Sequence, residues 1–227
     1  MEIKAIARIY TEFKEKFGIP RQSGITDSSI GKIVFEPEYR RKEALREIEE
    51  YSHLWLIWEF SKAKREKWSA TVRPPRLGGN KKVGVFATRS PFRPNPLGLS
   101  SVKLVGVSED KELGPILFVS GADILDGTPI YDIKPYLAYT DSHPDAKCGF
   151  SDTVRDYSLD VKIDSDVLSV VKEEHRDTLM KMLAHDPRPA YKDDAGYEYG
   201  MKFAEYEIFF KVKENTLTVT KIVRFQS

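Results

Sequence analysis

Short runs of β-branched and aromatic residues, bounded by turn residues, recur through the first two-thirds of the 227-residue chain. Runs of this kind predict β-strands, and many short strands with few helices between them are typical of a barrel or a sandwich. The chain is therefore predicted to be mainly β. The predicted strands are Glu2–Tyr10, Lys32–Phe35, His53–Phe60, Val83–Thr88, Ser100–Val107, Ile116–Val119, Tyr131–Pro135 and Tyr157–Ile163.

Two segments instead carry apolar residues at helical spacing. Glu38–Glu50 follows Pro37, which suits the start of a helix, and Asp166–Ala184 follows Asp164 and Ser165, either of which suits an N-cap. We therefore predict one helix within the series of strands and one helix after it.

The second predicted helix is followed by two more strand-like runs, Phe203–Val212 and Thr216–Phe225, which join at Glu214-Asn215. Together these elements predict a helix-plus-β-hairpin appendage, an α+β unit. We place the boundary near residue 164, with the strand-rich domain over 1–163 and the appendage over 164–227.

The formal net charge is only +1, but the charge is unevenly distributed. The stretch from Lys62 to Arg93 holds ten basic residues against a single acid, Glu66, and so carries +9. This density favours a phosphate-rich partner, although a solvated loop with counter-charges folded beside it is the alternative. The ten cations are Lys62, Lys64, Arg65, Lys67, Arg73, Arg76, Lys81, Lys82, Arg89 and Arg93.

Several classes of protein are disfavoured by what the sequence lacks. Cys148 is the single cysteine and the four histidines are scattered, so we expect no metal site. The longest apolar run, Leu54–Trp58, is far shorter than the ~20 residues of a membrane helix, so we expect a cytoplasmic protein with no membrane contact. There is also no Gly-x-Gly-x-x-Gly motif after a strand and no Walker loop.

A stiff loop spans Thr88–Gly98, in which three prolines fall within six residues. Because proline fixes φ, the loop is predicted to hold Arg89 and Arg93 in place, where two planar guanidiniums suit a carboxylate or a phosphate. The alternative is that these arginines cap loop carbonyls or pair with Asp126.

Two further turns are candidates for ligand contacts. The Asp126-Gly127 turn presents an acid that suits ribose hydroxyls or an amino group, but Asp-Gly is also a common turn without function. The Gly-x-Pro constraint in Phe17–Gln22 presents backbone amides and the Gln22 amide, or simply crosses a barrel end. Tyr191 suits stacking on a base, or alternatively fixes the appendage to the barrel.

Five motifs in this order together resemble the TsaA-like, or TrmO, family of tRNA methyltransferases that use S-adenosylmethionine (SAM). The resemblance runs from Ile3 to about Thr140 and continues through 186–191 and 199–201. The motifs are Phe17–Gln22, Ser52–Trp55, Val72–Gly79, Val85–Gly98 and Asp126–Tyr136.

The resemblance implies a small β-barrel that binds SAM in loops at one end, in place of the usual Rossmann-like domain, and a homodimer with the site near the subunit interface. It also implies methylation of N6 of threonylcarbamoyladenosine, 3′ to the anticodon of tRNA. Many relatives carry a histidine where this chain has 59–62, so only a backbone contact from that segment is expected to persist. The implied SAM contacts are Pro20, Arg21, Gln22, Ser61, Lys62, Arg89, Leu99, Asp126, Gly127, Thr128 and Pro129.

On the same interpretation, the basic stretch from Lys62 to Arg93 contacts the anticodon stem-loop of tRNA. Asp126, Asp132 and Tyr136 are candidate acceptors for the N6 proton, and Asp126 and Tyr136 are our candidate catalytic residues. A non-catalytic RNA-binding β-barrel is the main alternative, and a hydrolase using His53 or His143 has no nucleophile motif behind it. The candidate tRNA contacts are Arg73, Arg76, Lys81, Lys82, Arg93 and Tyr191.

Overall fold

The computed structural model describes residues 2–19, 29–63, 67–74, 77, 81–154, 157–188 and 196–225. Its first eight strands are β1 (Ala7–Tyr10), β2 (Ile30–Phe35), β3 (His53–Glu59), β4 (Thr71–Val72), β5 (Val83–Gly84), β6 (Leu97–Asp110), β7 (Gly114–Ser120) and β8 (Thr128–Pro135). The remaining elements are α1 (Ala138–Asp141), β9 (Asp160–Lys162), α2 (Ser165–Ser169), α3 (Glu173–Ala184), β10 (Tyr199–Phe203), β11 (Tyr206–Lys213) and β12 (Thr216–Arg224).

Six antiparallel strands close into a barrel in the order β1-β2-β7-β6-β3-β8, which confirms the predicted mainly β fold and small barrel. Alternate residues along β3 point inward, so Leu54 and Leu56 are fully buried while His53 and Trp55 face outward. The barrel interior is filled by aliphatic side chains such as Ile9, Ile33 and Leu117. Strands β4 and β5 lie outside the barrel and pair as a short antiparallel ribbon.

The C-terminal part of the chain forms a four-stranded sheet in the order β10-β11-β12-β9, with β9 parallel to β12. The predicted hairpin is therefore the centre of a larger sheet. Strand β9 precedes the boundary that we placed near residue 164, yet it pairs with this second sheet. Helices α2 and α3 contribute to a separate apolar core that includes Leu179, Phe203 and Phe210.

The segment after β1 joins the two units. Phe13 is buried in the C-terminal core, and the backbone carbonyl of Glu12 accepts a hydrogen bond from Ala204 N at 2.9 Å. The Glu12 carboxylate lies 3.0 Å from Nε2 of the buried His175, and Glu15 accepts a hydrogen bond from Lys202 N at 2.7 Å. Burial raises the pKa of Glu12 above its ordinary value, and the His175 contact opposes that effect.

The predicted helix over Glu38–Glu50 is wrong. This region forms three single 3₁₀ turns, Pro37–Tyr39, Lys42–Leu45 and Ile48–Glu50. The helix is interrupted because Glu47 adopts a left-handed conformation with φ of 67°. The break allows apolar residues on either side of it to pack against the barrel core, so tertiary packing overrides the local helical pattern.

The predicted helix over Asp166–Ala184 is wrong as one continuous element, since it is divided into α2 and α3. Lys172 adopts an extended conformation, and its N–H donates to the Tyr206 hydroxyl at 3.0 Å. The break buries Val171 in the C-terminal core. No side chain caps the N-terminus of α2, although Asp164 occupies the N-cap position.

The predicted strand Val83–Thr88 is also too long, because only Val83–Gly84 is a strand and Val85–Ala87 forms a 3₁₀ turn. The predicted strands Glu2–Tyr10 and Tyr157–Ile163 are shortened to β1 and β9. No helix in the described part of the chain combines the length and the apolar character that crossing a membrane requires.

Candidate active site

A pocket of about 530 Å³ lies on the outer face of the barrel, over the paired strands β3 and β6. On β3 and β6 the outward side chains alternate with buried ones, so the same pleat that fills the core exposes His53, Trp55, Leu99 and Ser101 to the pocket. The pocket is lined by His53, Trp55, Arg89, Leu99, Ser101, Tyr136 and Asp141. A volume of this size suits a small molecule or a nucleoside.

One wall of the pocket is aromatic. The rings of Trp55 and Tyr136 lie 5.5 Å apart at 49°, and the Tyr136 N–H donates to the carbonyl of His53 at 2.9 Å. Trp55 Nε1 donates to the Asp141 carboxylate at 2.8 Å, which also accepts from Leu137 N at 2.9 Å. These hydrogen bonds, from Leu137 first and then Trp55, lower the pKa of Asp141, so an ionised carboxylate fixes the indole.

Arg89 is the exposed cation of the pocket and begins the proline-rich loop. Its position is set by the turn before it, in which Val85 is buried and the Thr88 hydroxyl donates to Val85 O at 2.8 Å. For Arg93 the structure shows the alternative role, capping of a loop carbonyl, because its Nη1 donates to the carbonyl oxygen of Thr88 at 3.0 Å. Arg89 therefore remains the guanidinium that faces the pocket.

A chain of hydrogen bonds runs through the barrel beneath the pocket. Trp58 Nε1 donates to Ser100 Oγ at 3.0 Å, and the Ser100 hydroxyl donates to Asp123 Oδ1 at 2.6 Å. Burial raises the pKa of the Asp123 carboxyl, while the Ser100 hydrogen bond and the charge of Arg89 oppose that shift. Trp58 fits because it lies opposite Gly98, where any side chain would collide with the indole.

The Asp126 turn lies at one end of the barrel rather than among the residues that line the pocket. Asp126 accepts hydrogen bonds from Thr11 N and from Lys14 Nζ, both at 2.9 Å. Gly127 has φ of 73°, a conformation that glycine adopts readily, and its N–H donates to Ile9 O at 2.9 Å. The next two residues, Thr128 and Pro129, are buried at the start of β8.

Ser61 and Lys62 are exposed in a 3₁₀ turn at the same end of the barrel. The Lys62 carbonyl accepts a hydrogen bond from Lys16 Nζ, and Phe60 N donates to Pro96 O at 2.8 Å. The turn is thereby joined both to the segment after β1 and to the proline-rich loop. The predicted contacts Pro20, Arg21, Gln22, Arg76 and Tyr191 lie outside the described residues.

Three of the predicted site residues, Arg89, Leu99 and Tyr136, come together in the pocket. Sequence reasoning did not name Trp55, Ser101 and Asp141 of the pocket lining, or Asp123 beneath it, as site residues. Asp123 opens the acidic motif that contains Asp126, so a signal was available, whereas Asp141 follows that motif without any distinguishing pattern. Asp132, the third candidate proton acceptor, pairs with Lys134 at 2.9 Å.

The predicted tRNA contacts Arg73, Lys81 and Lys82 are exposed on and beside the β4–β5 ribbon. The sequence from Lys67 to Arg93, which includes this ribbon, contains no acidic residue. Within the described ranges, no group of three or more histidine, cysteine, aspartate or glutamate side chains is placed to hold a metal ion.

The fold defines a closed β-barrel protein with a pocket on its outer face and a separate C-terminal sheet. The family model for the tRNA-methyltransferase O N-terminal domain matches residues 8–142, and the model for the TrmO C-terminal domain matches residues 156–225. The chain belongs to the tRNA-methyltransferase O family.

Individual relatives agree with this assignment, two of them over nearly the whole chain. The chain is 38% identical to the tRNA (adenine(37)-N6)-methyltransferase of Escherichia coli over 221 residues, covering 94% of each protein. A solved structure of TrmO from Pseudomonas aeruginosa aligns with a TM-score of 0.78 and 30% identity, covering 99% of this chain and 97% of that one. A Pyrococcus abyssi protein named for S-adenosyl-L-methionine binding is 39% identical over 147 residues, 65% of this chain and 74% of that protein.

Proposed function

We propose that this protein transfers a methyl group from SAM to N6 of the adenosine at position 37 of tRNA. The observation that carries the proposal is the barrel pocket, where Arg89 faces the aromatic wall of Trp55 and Tyr136 in a member of the tRNA-methyltransferase O family. The Escherichia coli relative bears the name of this activity.

Several residues of the pocket support SAM as its ligand. The Arg89 guanidinium suits the carboxylate of the methionine moiety, and Leu99, Trp55 and Tyr136 offer apolar and aromatic surface for an adenine. The pocket volume of about 530 Å³ falls within the range of small-molecule sites. The turns at 61–62 and 126–129 supply further polar groups at the adjoining end of the barrel, as the proposed SAM contacts require.

SAM supplies an activated methyl group on a sulfonium. The residues of this chain therefore need to align the reacting groups, and they need not activate the methyl group. Alignment of the adenine amino group against an activated carbon can supply roughly 7–11 kcal/mol of the barrier. The Trp55 indole is held in place by its hydrogen bond to Asp141, so the pocket keeps a fixed shape for that alignment.

The N6 proton must pass to a nearby acceptor when the new C–N bond forms. Asp126 is bound to Lys14 and Asp132 to Lys134, so each of these carboxylates already has a cationic partner. Tyr136 lines the pocket. Asp123 does not line the pocket but lies behind Ser100, and burial raises its pKa, which brings it closer to the range of an effective general base. We therefore add Asp123 to Tyr136 and Asp126 as a candidate acceptor.

The finer features of the proposal concern the RNA and the assembly. We propose threonylcarbamoyladenosine, 3′ to the anticodon, as the modified base, and the exposed Arg73, Lys81 and Lys82 as contacts to the stem-loop phosphates. We also propose a tRNA-recognition role for the C-terminal unit.

A homodimer is supported by the outer face of β6, where Leu99 and Val105 are each more than half exposed. Light scattering during gel filtration tests this assembly.

The decisive experiment is nucleoside mass spectrometry of tRNA incubated with the purified protein and SAM. Transcripts with and without the threonylcarbamoyl group are compared, for wild type and Arg89→Ala. Arg224→Ala on β12 is the matched control, because it removes an exposed guanidinium outside the pocket.

One methyl added to position 37 of the modified tRNA, lost in Arg89→Ala and kept in Arg224→Ala, is the expected result. Methylation of both transcripts would reject only the requirement for the threonylcarbamoyl group. Binding of tRNA with no methyl transfer and no SAM affinity would reject the enzyme and favour a non-catalytic RNA-binding barrel.

A further inference from the structure

Two large aromatic side chains are exposed together beside the β4–β5 ribbon. Trp68 is 53% exposed and Phe86 is 71% exposed, yet their rings are stacked with centroids 6.2 Å apart and 28° between the planes. A pair of rings that is open to water on its outer side offers a flat apolar surface, and such surfaces mark interaction sites.

The backbone fixes the position of this pair. Thr71 pairs with Gly84 and Val72 with Val83, and Val85 N donates to Ala70 O at 2.9 Å, so the two chain segments run side by side as far as the rings. Val85 is buried and anchors the turn that presents Phe86. The aromatic pair is therefore held by the fold, and Phe86 lies three residues before Arg89 of the pocket.

The charge of the chain around the pair favours a negatively charged partner. The sequence from Lys67 to Arg93 contains seven basic residues and no acidic one. A second copy of this surface would bring the same positive charge against it, which opposes a contact between two such ribbons. A polyanion that also exposes flat aromatic rings complements both features, and single-stranded RNA is such a partner.

We propose that Trp68 and Phe86 form a stacking platform for an unpaired base of the RNA loop that carries the target adenosine. This inference rests on the proposed function and deepens it, because it assigns a base-binding surface outside the pocket. Stacking on an aromatic side chain needs no particular hydrogen-bonding edge, so the platform would accept different bases and hold the loop while the target base enters the pocket.

The test measures binding of two RNAs by fluorescence anisotropy: an isolated anticodon stem-loop, and a duplex of the same length without unpaired bases. Phe86→Ala and Trp68→Ala are each expected to weaken stem-loop binding about fivefold or more, up to about 150-fold, and to leave duplex binding unchanged. Trp68→Phe and Phe86→Tyr keep a ring and are expected to retain binding.

The salt dependence separates stacking from charge. The alanine variants are expected to keep the wild-type slope of log Kd against log salt, because no phosphate contact is removed, whereas Lys81→Ala is expected to reduce it. Unchanged stem-loop affinity in both alanine variants would overturn the proposal. An equal loss for stem-loop and duplex would do the same.

Sedimentation velocity and SAM binding by calorimetry are run on every variant. If Trp68→Ala or Phe86→Ala converts an oligomer to a monomer, the pair is a contact between copies of the chain and the RNA proposal is wrong. Failure of the wild-type protein to bind SAM or to methylate tRNA rejects the proposed function, and is distinguishable because stem-loop binding is measured without SAM.

Discussion

Substitution of Gly98 by alanine tests the packing on which the pocket rests. Gly98 lies opposite Trp58 in the β3–β6 pair, and an added Cβ would lie 2.6 Å from Trp58 Cδ2 and closer still to Cε2 and Cζ2. The indole has little freedom to move, because it donates to Ser100 and packs against Phe60 with ring centroids 4.3 Å apart.

The expected cost follows from these contacts. Overpacking a filled core costs about 1–3 kcal/mol, and loss of the Trp58–Ser100 hydrogen bond adds about 1 kcal/mol. Gly98→Ala should therefore lower the free energy of unfolding by about 2–4 kcal/mol. In a protein of this size that corresponds to a fall in Tm of about 4–16 °C.

The assay is urea denaturation followed by tryptophan fluorescence, with Gly106→Ala as the matched control. Gly106 lies on the same strand, and no atom lies within 4 Å of its added Cβ, so this variant should stay within about 0.5 kcal/mol of wild type. Combining Gly98→Ala with Trp58→Leu removes the collision, and alanine should then cost less than about 1 kcal/mol.

Two results would refute this reasoning. The first is a Gly98→Ala variant no less stable than Gly106→Ala. The second is a full cost of Gly98→Ala in the Trp58→Leu background, which would place the strain somewhere other than the indole.

Three other substitutions have defined outcomes. Gly127→Ala forces a side chain into a φ of 73° and should cost about 1–2 kcal/mol of stability by urea denaturation. Gly84→Ala is the control, because its added Cβ also meets open space but its φ is not positive, so it should not show this cost. Asp141→Asn should be less stable than wild type from about pH 8 to about pH 5, because the pKa of Asp141 is lowered in the folded state. The difference in stability should vanish as the pH falls below the ordinary value of 3.8 and through the folded pKa. A difference that stays constant with pH would contradict the assignment. His175→Ala removes a ring packed edge-on against Phe203 and Tyr206 and leaves Glu12 without that partner, so it should cost about 2 kcal/mol or more; a Tm equal to wild type would show that this junction does not stabilise the fold.

Short runs of β-branched and aromatic residues bounded by turn residues were sufficient to predict most strands of the barrel. His53–Glu59 is an example, because Leu54–Trp58 forms an unbroken apolar and aromatic run between polar ends. Helices were predicted less well. Glu38–Glu50 has helical spacing, but its apolar residues contact the barrel from three separate turns, and the left-handed Glu47 that permits this has no signal in the sequence.

The site was predicted in part for a similar reason. The proline-rich loop indicated Arg89 through its stiffness, and Arg89 does line the pocket. Arg93 lies in the same loop, but its role as a cap for Thr88 depends on a turn that forms only in the folded chain. Asp123 became visible as a candidate because folding buries it beside Ser100, and burial is a property of the neighbours and not of the residue.

The sequence by itself determined the mainly β character of the chain, the basic stretch, the stiff arginine loop and the family resemblance, because each depends on residues that are close together in the chain. The tertiary structure alone decided which residues meet. Trp55 and Tyr136 form one wall, Trp58 lies against Gly98, and Trp68 stacks on Phe86 only after strand pairing sets the register. Register and burial arise from contacts between distant segments, so no local pattern specifies them.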